Sequence, residues 1–139
     1  MRIKSLDHLV IPVKDIEKSM SFYTSVLGME ADISNHRYAV RFGDQKINLH
    51  VGKGEFLPAA ANPEFGSADI CLIAEGDIKE IKAELDNRHI PIEEGIVRRT
   101  GAKGPIDSIY LRDPDGNLIE ISTYNYLSHQ TDVVNKSLP

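Results

Sequence analysis

Residues Tyr110–Ser122 read YLRDPDGNLIEIS, and the reading of the whole chain turns on them. An apolar run (Ile109, Tyr110, Leu111) meets Asp113-Pro114-Asp115-Gly116-Asn117, and a second run, Leu118–Ser122, follows. Proline presets φ and glycine tolerates positive φ, so Pro and Asp-Gly between two apolar runs predict a hairpin. Side chains alternate across a strand. Ile119 and Ile121 therefore face one way, and Leu118, Glu120 and Ser122 the other. The aliphatic side needs a cover. The Glu120 side opens either to water or into a polar cavity.

Working outward, the same grammar occurs twice. Leu6–Val13 is a strand pattern with His8 and Val10 on one face and Leu9, Ile11 and Val13 on the other. Asp15 is placed to cap a helix whose apolar stripe is Ile16, Met20, Tyr23 and Leu27, and Gly28 to end it. Met29–Ile33, Tyr38–Phe42 and Lys46–Val51 follow as short strands, the last with Asn48 and His50 on its polar face. Gly52–Gly66, rich in Pro, Ala and Gly, reads as a linker or exposed loop. The order then restarts. Ala68–Ile73 is a strand with Asp69 and Cys71 on one face, and Asp77, with Glu80 at capping-box spacing, opens a helix with the stripe Ile78, Ile81 and Leu85. Ile92–Arg99, Ile106–Arg112 and Leu118–Thr123 are three further strands, and 125–139 is expected to trail as a polar tail. Strand–helix–three strands, twice, is an internal repeat of roughly 50–60 residues. Two like units related by a pseudo-twofold axis would bring His8 towards Asp69 and His50 towards Glu120, each on the face opposite its strand's aliphatic row.

Composition narrows the partners. The chain has 139 residues, 41% hydrophobic and 27% charged, enough for one domain with a core. A net charge of −5 and a pI near 5.5 argue against nucleic acid or an anionic membrane surface as the main partner. No apolar run approaches the length of a membrane span, the first ten residues lack a signal-peptide core, and cytoplasm is the expected compartment. Cys71 is the single cysteine; its apolar neighbours predict a buried, inert thiol.

The segments DHLVIPVKDIEKSMSFYTSVLGM and LRDPDGNLIEIS, in that architecture, resemble the vicinal-oxygen-chelate superfamily of glyoxalases, bleomycin resistance proteins and extradiol dioxygenases, over about residues 3–124. FGDQKINLH, GSADICLI and PIEEGIVRRTGAKGPI further resemble the glyoxalase-domain-containing protein 5 subgroup. The resemblance implies an α+β fold within residues 1–124: two βαβββ modules (about 5–51 and 67–123, linker 52–66) forming a half-open eight-stranded mixed β cup. It implies one divalent metal, with ligands from the first and last strands of each module. Mapped here these are His8, His50, Asp69 and Glu120. Asp69 stands where glyoxalase I usually has His, and is equally suited to orienting a ligand. Such a donor set suits Zn²⁺, Ni²⁺, Co²⁺, Fe²⁺ or Mn²⁺ and does not choose among them.

Two functions follow from the resemblance. One is a metal-dependent lyase or isomerase of the glyoxalase type, with Glu120 as base and a ring-cleaving dioxygenase as the enzymatic alternative. The other is a binding protein of the bleomycin-resistance type, sequestering a small molecule without chemistry. A homodimer is expected in either case. Arg98–Pro105 (RRTGAKGP) reads either as a mobile anion-gripping loop or as an ordinary hairpin. Arg41, Arg99, Lys103, Tyr110 and Arg112 are the substrate-binding candidates.

Overall fold

The computed structural model describes residues 1–124; the expected tail, 125–139, lies outside the described residues. Along the chain come β1 (His8–Val13), α1 (Ile16–Ser21, continued by a π-helical turn, Phe22–Val26), β2 (Glu30–Ser34), β3 (Arg37–Phe42) and β4 (Gln45–Val51). Then follow β5 (Asp69–Ile73), α2 (Ile78–Asn87), β6 (Glu94–Gly101), β7 (Gly104–Arg112) and β8 (Leu118–Thr123). The βαβββ repeat is therefore present twice. Its strands form two four-stranded sheets, ordered β1-β4-β3-β2 and β5-β8-β7-β6. The chain divides into two compact units, residues 1–68 with 113–118, and residues 69–112 with those from 119 onward. The turn between β7 and β8 thus groups with the first module and not with its own strands.

In the first unit β1 runs parallel to β4, and the β2–β3 and β3–β4 pairs are antiparallel. Alternation buries one row: Ile11, Val13, Val40, Ile47 and Leu49 are each at most 3% exposed. Burying a side chain of this size stabilises the fold by about 1.5–3 kcal/mol. Asp15 caps α1 by accepting from the Lys18 amide at 3.1 Å. Asn35 and His36, both at positive φ, make the two-residue β2–β3 turn, the geometry that matches strand twist.

A buried polar cluster completes this unit. Asp113 accepts from the Tyr23 hydroxyl at 2.6 Å, the Asn117 side-chain amide at 2.8 Å, and the backbone amides of Asn117 (2.9 Å) and Asp115 (3.0 Å). Asp115 in turn accepts from the Lys14 amide at 3.1 Å, and Asn117 from the Ala68 amide at 2.8 Å. Tyr23, Asp113 and Asn117 are at most 5% exposed, so each partner is needed to offset desolvation. Gly66 closes the cluster. At φ +71° a Cβ there would lie 2.5 Å from the Asp115 carbonyl oxygen, so only glycine lets the two backbones approach this closely.

In the second unit Asp77 caps α2 through the Lys79 amide at 2.8 Å. The helix packs on β6 and β7, burying Ile78 and Leu85 together with Ile109, Leu111 and Ile119. The RRTGAKGP segment is a regular hairpin: Thr100 pairs with Pro105 and Gly101 with Gly104, leaving Ala102-Lys103 as the turn. A register shift between Gly95 and Val97 marks a bulge in β6. Gly95 sits there at φ +132°, where a Cβ would come within 2.8 Å of the Ile109 Cα.

Candidate functional site

Alternation on β7 and β8 places Ser108, Glu120 and Ser122 on the side of the second sheet opposite Ile109, Ile119 and Ile121. Ser108 Oγ donates to Glu120 Oε2 at 2.6 Å, and Ser122 Oγ reaches the same oxygen at 3.3 Å. The two serine hydroxyls are themselves 2.6 Å apart and fully buried. Glu120 is half-buried, and among the described residues Oε1 accepts no hydrogen bond. One carboxylate oxygen is thus clamped and the other presented, the arrangement of a carboxylate oriented for a proton or a cation.

Asp69 and Cys71 stand on the neighbouring β5. Cys71 is exposed and not buried, because alternation puts it with Asp69 on the polar side and leaves Ile70 and Leu72 on the other. Its Sγ lies 3.4 Å from Ser122 Oγ. Partial desolvation pushes the thiol up; the Ser122 hydrogen bond opposes this, and the Glu120 and Asp69 carboxylates reinforce it. Cys71 in the native chain should therefore be open to a disulfide reagent, at one thiol per chain without denaturant. The rate should be below that of a free cysteine at neutral pH and should climb as pH rises, because only the thiolate attacks. Burial of the thiol would show as no reaction until denaturant is added.

The cationic candidates are mostly engaged. Arg112 holds Glu93 through two nitrogens at 2.9 and 3.0 Å, and Arg98 holds Asp107 at 2.6 Å. Arg99 donates to the Tyr110 hydroxyl at 3.0 Å and to Glu94 at 3.4 Å, its guanidinium 5.5 Å from the Tyr110 ring centre. The Lys103 backbone amide donates to the Tyr124 hydroxyl at 2.9 Å. In the first unit Arg41 donates to Asp32 at 2.6 Å.

His8 and His50 both lie on the open side of the first sheet, but the register separates them. His8 is opposite Lys46, and Pro12 is opposite His50. A four-residue offset is about 13 Å of strand. Two imidazoles standing upright at that spacing do not reach one ion, whose nitrogen ligands lie about 2.0–2.1 Å from it. Among the described residues no group of three or more His, Cys, Asp and Glu is placed to hold a metal ion. The exposed His8 pairs through Nδ1 with Asp7 at 2.8 Å, which holds the Asp7 carboxyl below its usual range and leaves Nε2 facing outward. His50 meets Phe56 edge-on, ring centres 5.0 Å apart. Burial holds its imidazole below the usual value; the Glu55 carboxylate opposes this shift and Arg37 adds to it.

A model of the Glyoxalase/Bleomycin resistance protein/Dioxygenase superfamily matches residues 5–121. The chain belongs to this superfamily. It is 51% identical over 125 residues to virulence protein STM3117 of Salmonella typhimurium, covering 89% of this chain and 87% of that protein. The crystal structure of STM3117 superimposes with a TM-score of 0.86, covering 89% of this chain and 99% of that one. The glyoxalase domain-containing protein RDO1 of Mycosarcoma maydis is 48% identical, with 89% of this chain and 70% of RDO1 covered. A lactoylglutathione lyase structure from Agrobacterium tumefaciens, 22% identical with a TM-score of 0.70 over 89% and 96% of the two chains, shares the fold.

Superfamily membership leaves the reaction open, because one scaffold carries many chemistries. What the sequence reading missed in this member is the serine pair that clamps Glu120. The signal was present for Ser122, two residues from Glu120 and so on its face. For Ser108 it was not, because only the pairing of β7 with β8 brings them together. Among the described residues no helix is long and apolar enough to cross a membrane.

Proposed function

We propose that this superfamily member is a divalent-metal-dependent enzyme of the glyoxalase-like lyase or isomerase type, acting on a small anionic substrate that chelates the metal through neighbouring oxygens. The observation that carries the reading is Glu120: half-buried, one oxygen fixed by two serine hydroxyls, the other open. A base needs such a fixed, unengaged oxygen. The chemistry a bound divalent metal supplies is polarisation of the substrate carbonyl. Glu120 would take the proton at Oε1 while Ser108 and Ser122 hold the carboxylate still. Arg99, held by Tyr110 and by Glu94, is assigned the anionic part of the substrate. Arg41 and Arg112 hold Asp32 and Glu93 more tightly, at 2.6 and 2.9 Å, than Arg99 holds Glu94 at 3.4 Å, and are assigned a lesser share; Lys103 stays a candidate.

Glu120 and Asp69 in the second unit, and His8 in the first, are each proposed as metal ligands, no three of them standing as a ready-made cluster among the described residues. His8 fits because a carboxylate on Nδ1 fixes the ring and leaves Nε2 for a metal, the usual outer-shell arrangement of a ligating histidine. His50, offset from His8 by four residues, is the weaker candidate. Purified protein should contain about one divalent metal per chain by elemental analysis, restorable after chelation, and His8→Ala should lose it while His50→Ala retains it. Metal retained in His8→Ala, or no uptake by the wild type, would overturn the assignment.

A second reading, ligand sequestration without chemistry, is favoured by one observation: a cavity of about 460 Å³ beside His50, lined largely by apolar residues. Tight small-molecule binding by protein that takes up no metal would favour it.

A further inference from the structure

The loop 52–67 does more than join two modules. It folds against the open side of the first sheet, and two cavities lie there. The smaller, about 140 Å³, is lined by Arg37, Lys46 and Asn48 among others, and by His50 and Phe56. The larger, about 460 Å³, is lined by Val10, Pro12, Pro58 and Ala60 among others, and again by His50 and Phe56. The His50–Phe56 pair is therefore a wall common to both. The Arg37 guanidinium lies 4.0 Å from the Phe56 ring centre and braces that wall from the polar side.

Charge distinguishes the two compartments. In a chain of net charge −5, the smaller one gathers two cations, Arg37 and Lys46, around an amide, Asn48. Its one carboxylate, Asp32, is held by Arg41 at 2.6 Å. The Glu55 carboxylate, close enough to act on the His50 imidazole, accepts from the Val51 amide at 2.8 Å. Among the described residues the Lys46 ammonium and the Asn48 amide make no hydrogen bond and neither Arg37 nor Lys46 has a carboxylate within ion-pair distance, although Lys46 acts electrostatically on Asp7. Lys46 and Asn48 are half-buried, so these donors are partly withdrawn from water without protein partners. Such a cluster favours an anion. The larger compartment offers apolar wall and a volume within the ordinary range of small-molecule sites.

We propose that the first module binds a small amphiphilic monocarboxylate, its carboxylate among Arg37, Lys46 and Asn48 and its aliphatic or aromatic body in the larger compartment past the His50–Phe56 wall. This is a ligand site of the first module, additional to the Glu120 reading above and independent of it. The binding itself stands apart from metal and turnover.

The test is titration of the full-length chain, with chelator present so that the carboxylate meets no metal. Butanoate, hexanoate, octanoate and the uncharged octanol are the probes, followed by calorimetry and by amide chemical shifts. Each added methylene should tighten carboxylate binding by ~3–4-fold until the compartment is full. Octanol should bind about tenfold more weakly than octanoate, the size of one charge-assisted contact. Lys46→Met, which keeps the stem and removes one of the two charges, should cut that preference several-fold. Ala60→Trp should block octanoate and octanol alike, and wild-type thermal unfolding in both variants shows that they are folded. Equal binding of octanoate and octanol, indifference to Lys46→Met, or shifts confined to residues away from Arg37, His50 and Phe56 would overturn the proposal. A failure here leaves the metal content untouched, and a metal-free wild type leaves this binding untouched, so the two readings fail separately.

Discussion

Glu120→Gln is expected to remove turnover, by ~10²–10⁴-fold, with little change in the fold. Candidate substrates are compounds with neighbouring carbonyl and hydroxyl oxygens, screened on the metal-loaded wild type. The substitution keeps the shape of the side chain and an acceptor for Ser108 and Ser122, which both reach Oε2 in the parent. It removes the group that takes a proton. Thermal unfolding should therefore shift by no more than the equivalent of about 1 kcal/mol, the net worth of one hydrogen bond. Metal content measured alongside separates two ways of losing activity: loss with metal retained identifies the base, and loss with metal absent identifies a ligand. Wild-type rates in the variant would end the assignment of Glu120 to either role.

The largest stability effect is expected at Asp113. Asp113→Ala strands four donors at once: the Tyr23 hydroxyl and the Asn117 side-chain and backbone amides, on residues at most 1% exposed, and the partly buried Asp115 N–H. Each unsatisfied buried group costs about 1–3 kcal/mol, and relaxation recovers part of the sum. A loss of about 3–5 kcal/mol in urea unfolding follows, a large share of the total stability of a domain this size. Tyr23→Phe removes one donor and should cost about 1–2 kcal/mol. Phenol ionisation adds a pH signature. Burial, reinforced by the Asp113 carboxylate and its hydrogen bond, raises the Tyr23 pKa far beyond its ordinary value. The unfolded chain then gives up this proton first. The contribution is whole below about pH 10 and is lost as pH climbs above it. The alkaline limb of the unfolding curve should be shallower in Tyr23→Phe. An unchanged limb would mean that another group controls it.

Much of this was legible from residue order. Alternation placed Ile119 and Ile121 in the core and Glu120 opposite, and the observed burial agrees. Repetition gave two βαβββ modules. What stayed hidden depends on interactions that no local pattern encodes. Register is set by pairing, so the four-residue offset of His8 from His50 was invisible while both sat on a polar face. Cys71 looked buried because its sequence neighbours are apolar, yet they are the ones that face the other way. The RRTGAKGP segment left its backbone conformation open, and the pairing of Gly101 with Gly104 makes it a hairpin. The stripe expected on α1 placed Tyr23 correctly in the interior but did not show that its hydroxyl ends on Asp113, ninety positions away.

That distance has a consequence for the gene. A duplicated βαβββ unit looks divisible, as if cutting at residues 52–66 would yield two independent cassettes. But residues 113–118 belong to the first compact unit, so the polypeptide passes from one unit to the other three times, and no single cut separates them. A fragment ending before the linker would bury Tyr23 with no acceptor for its phenol. The duplication survives in the architecture, while the ability of either copy to stand alone does not.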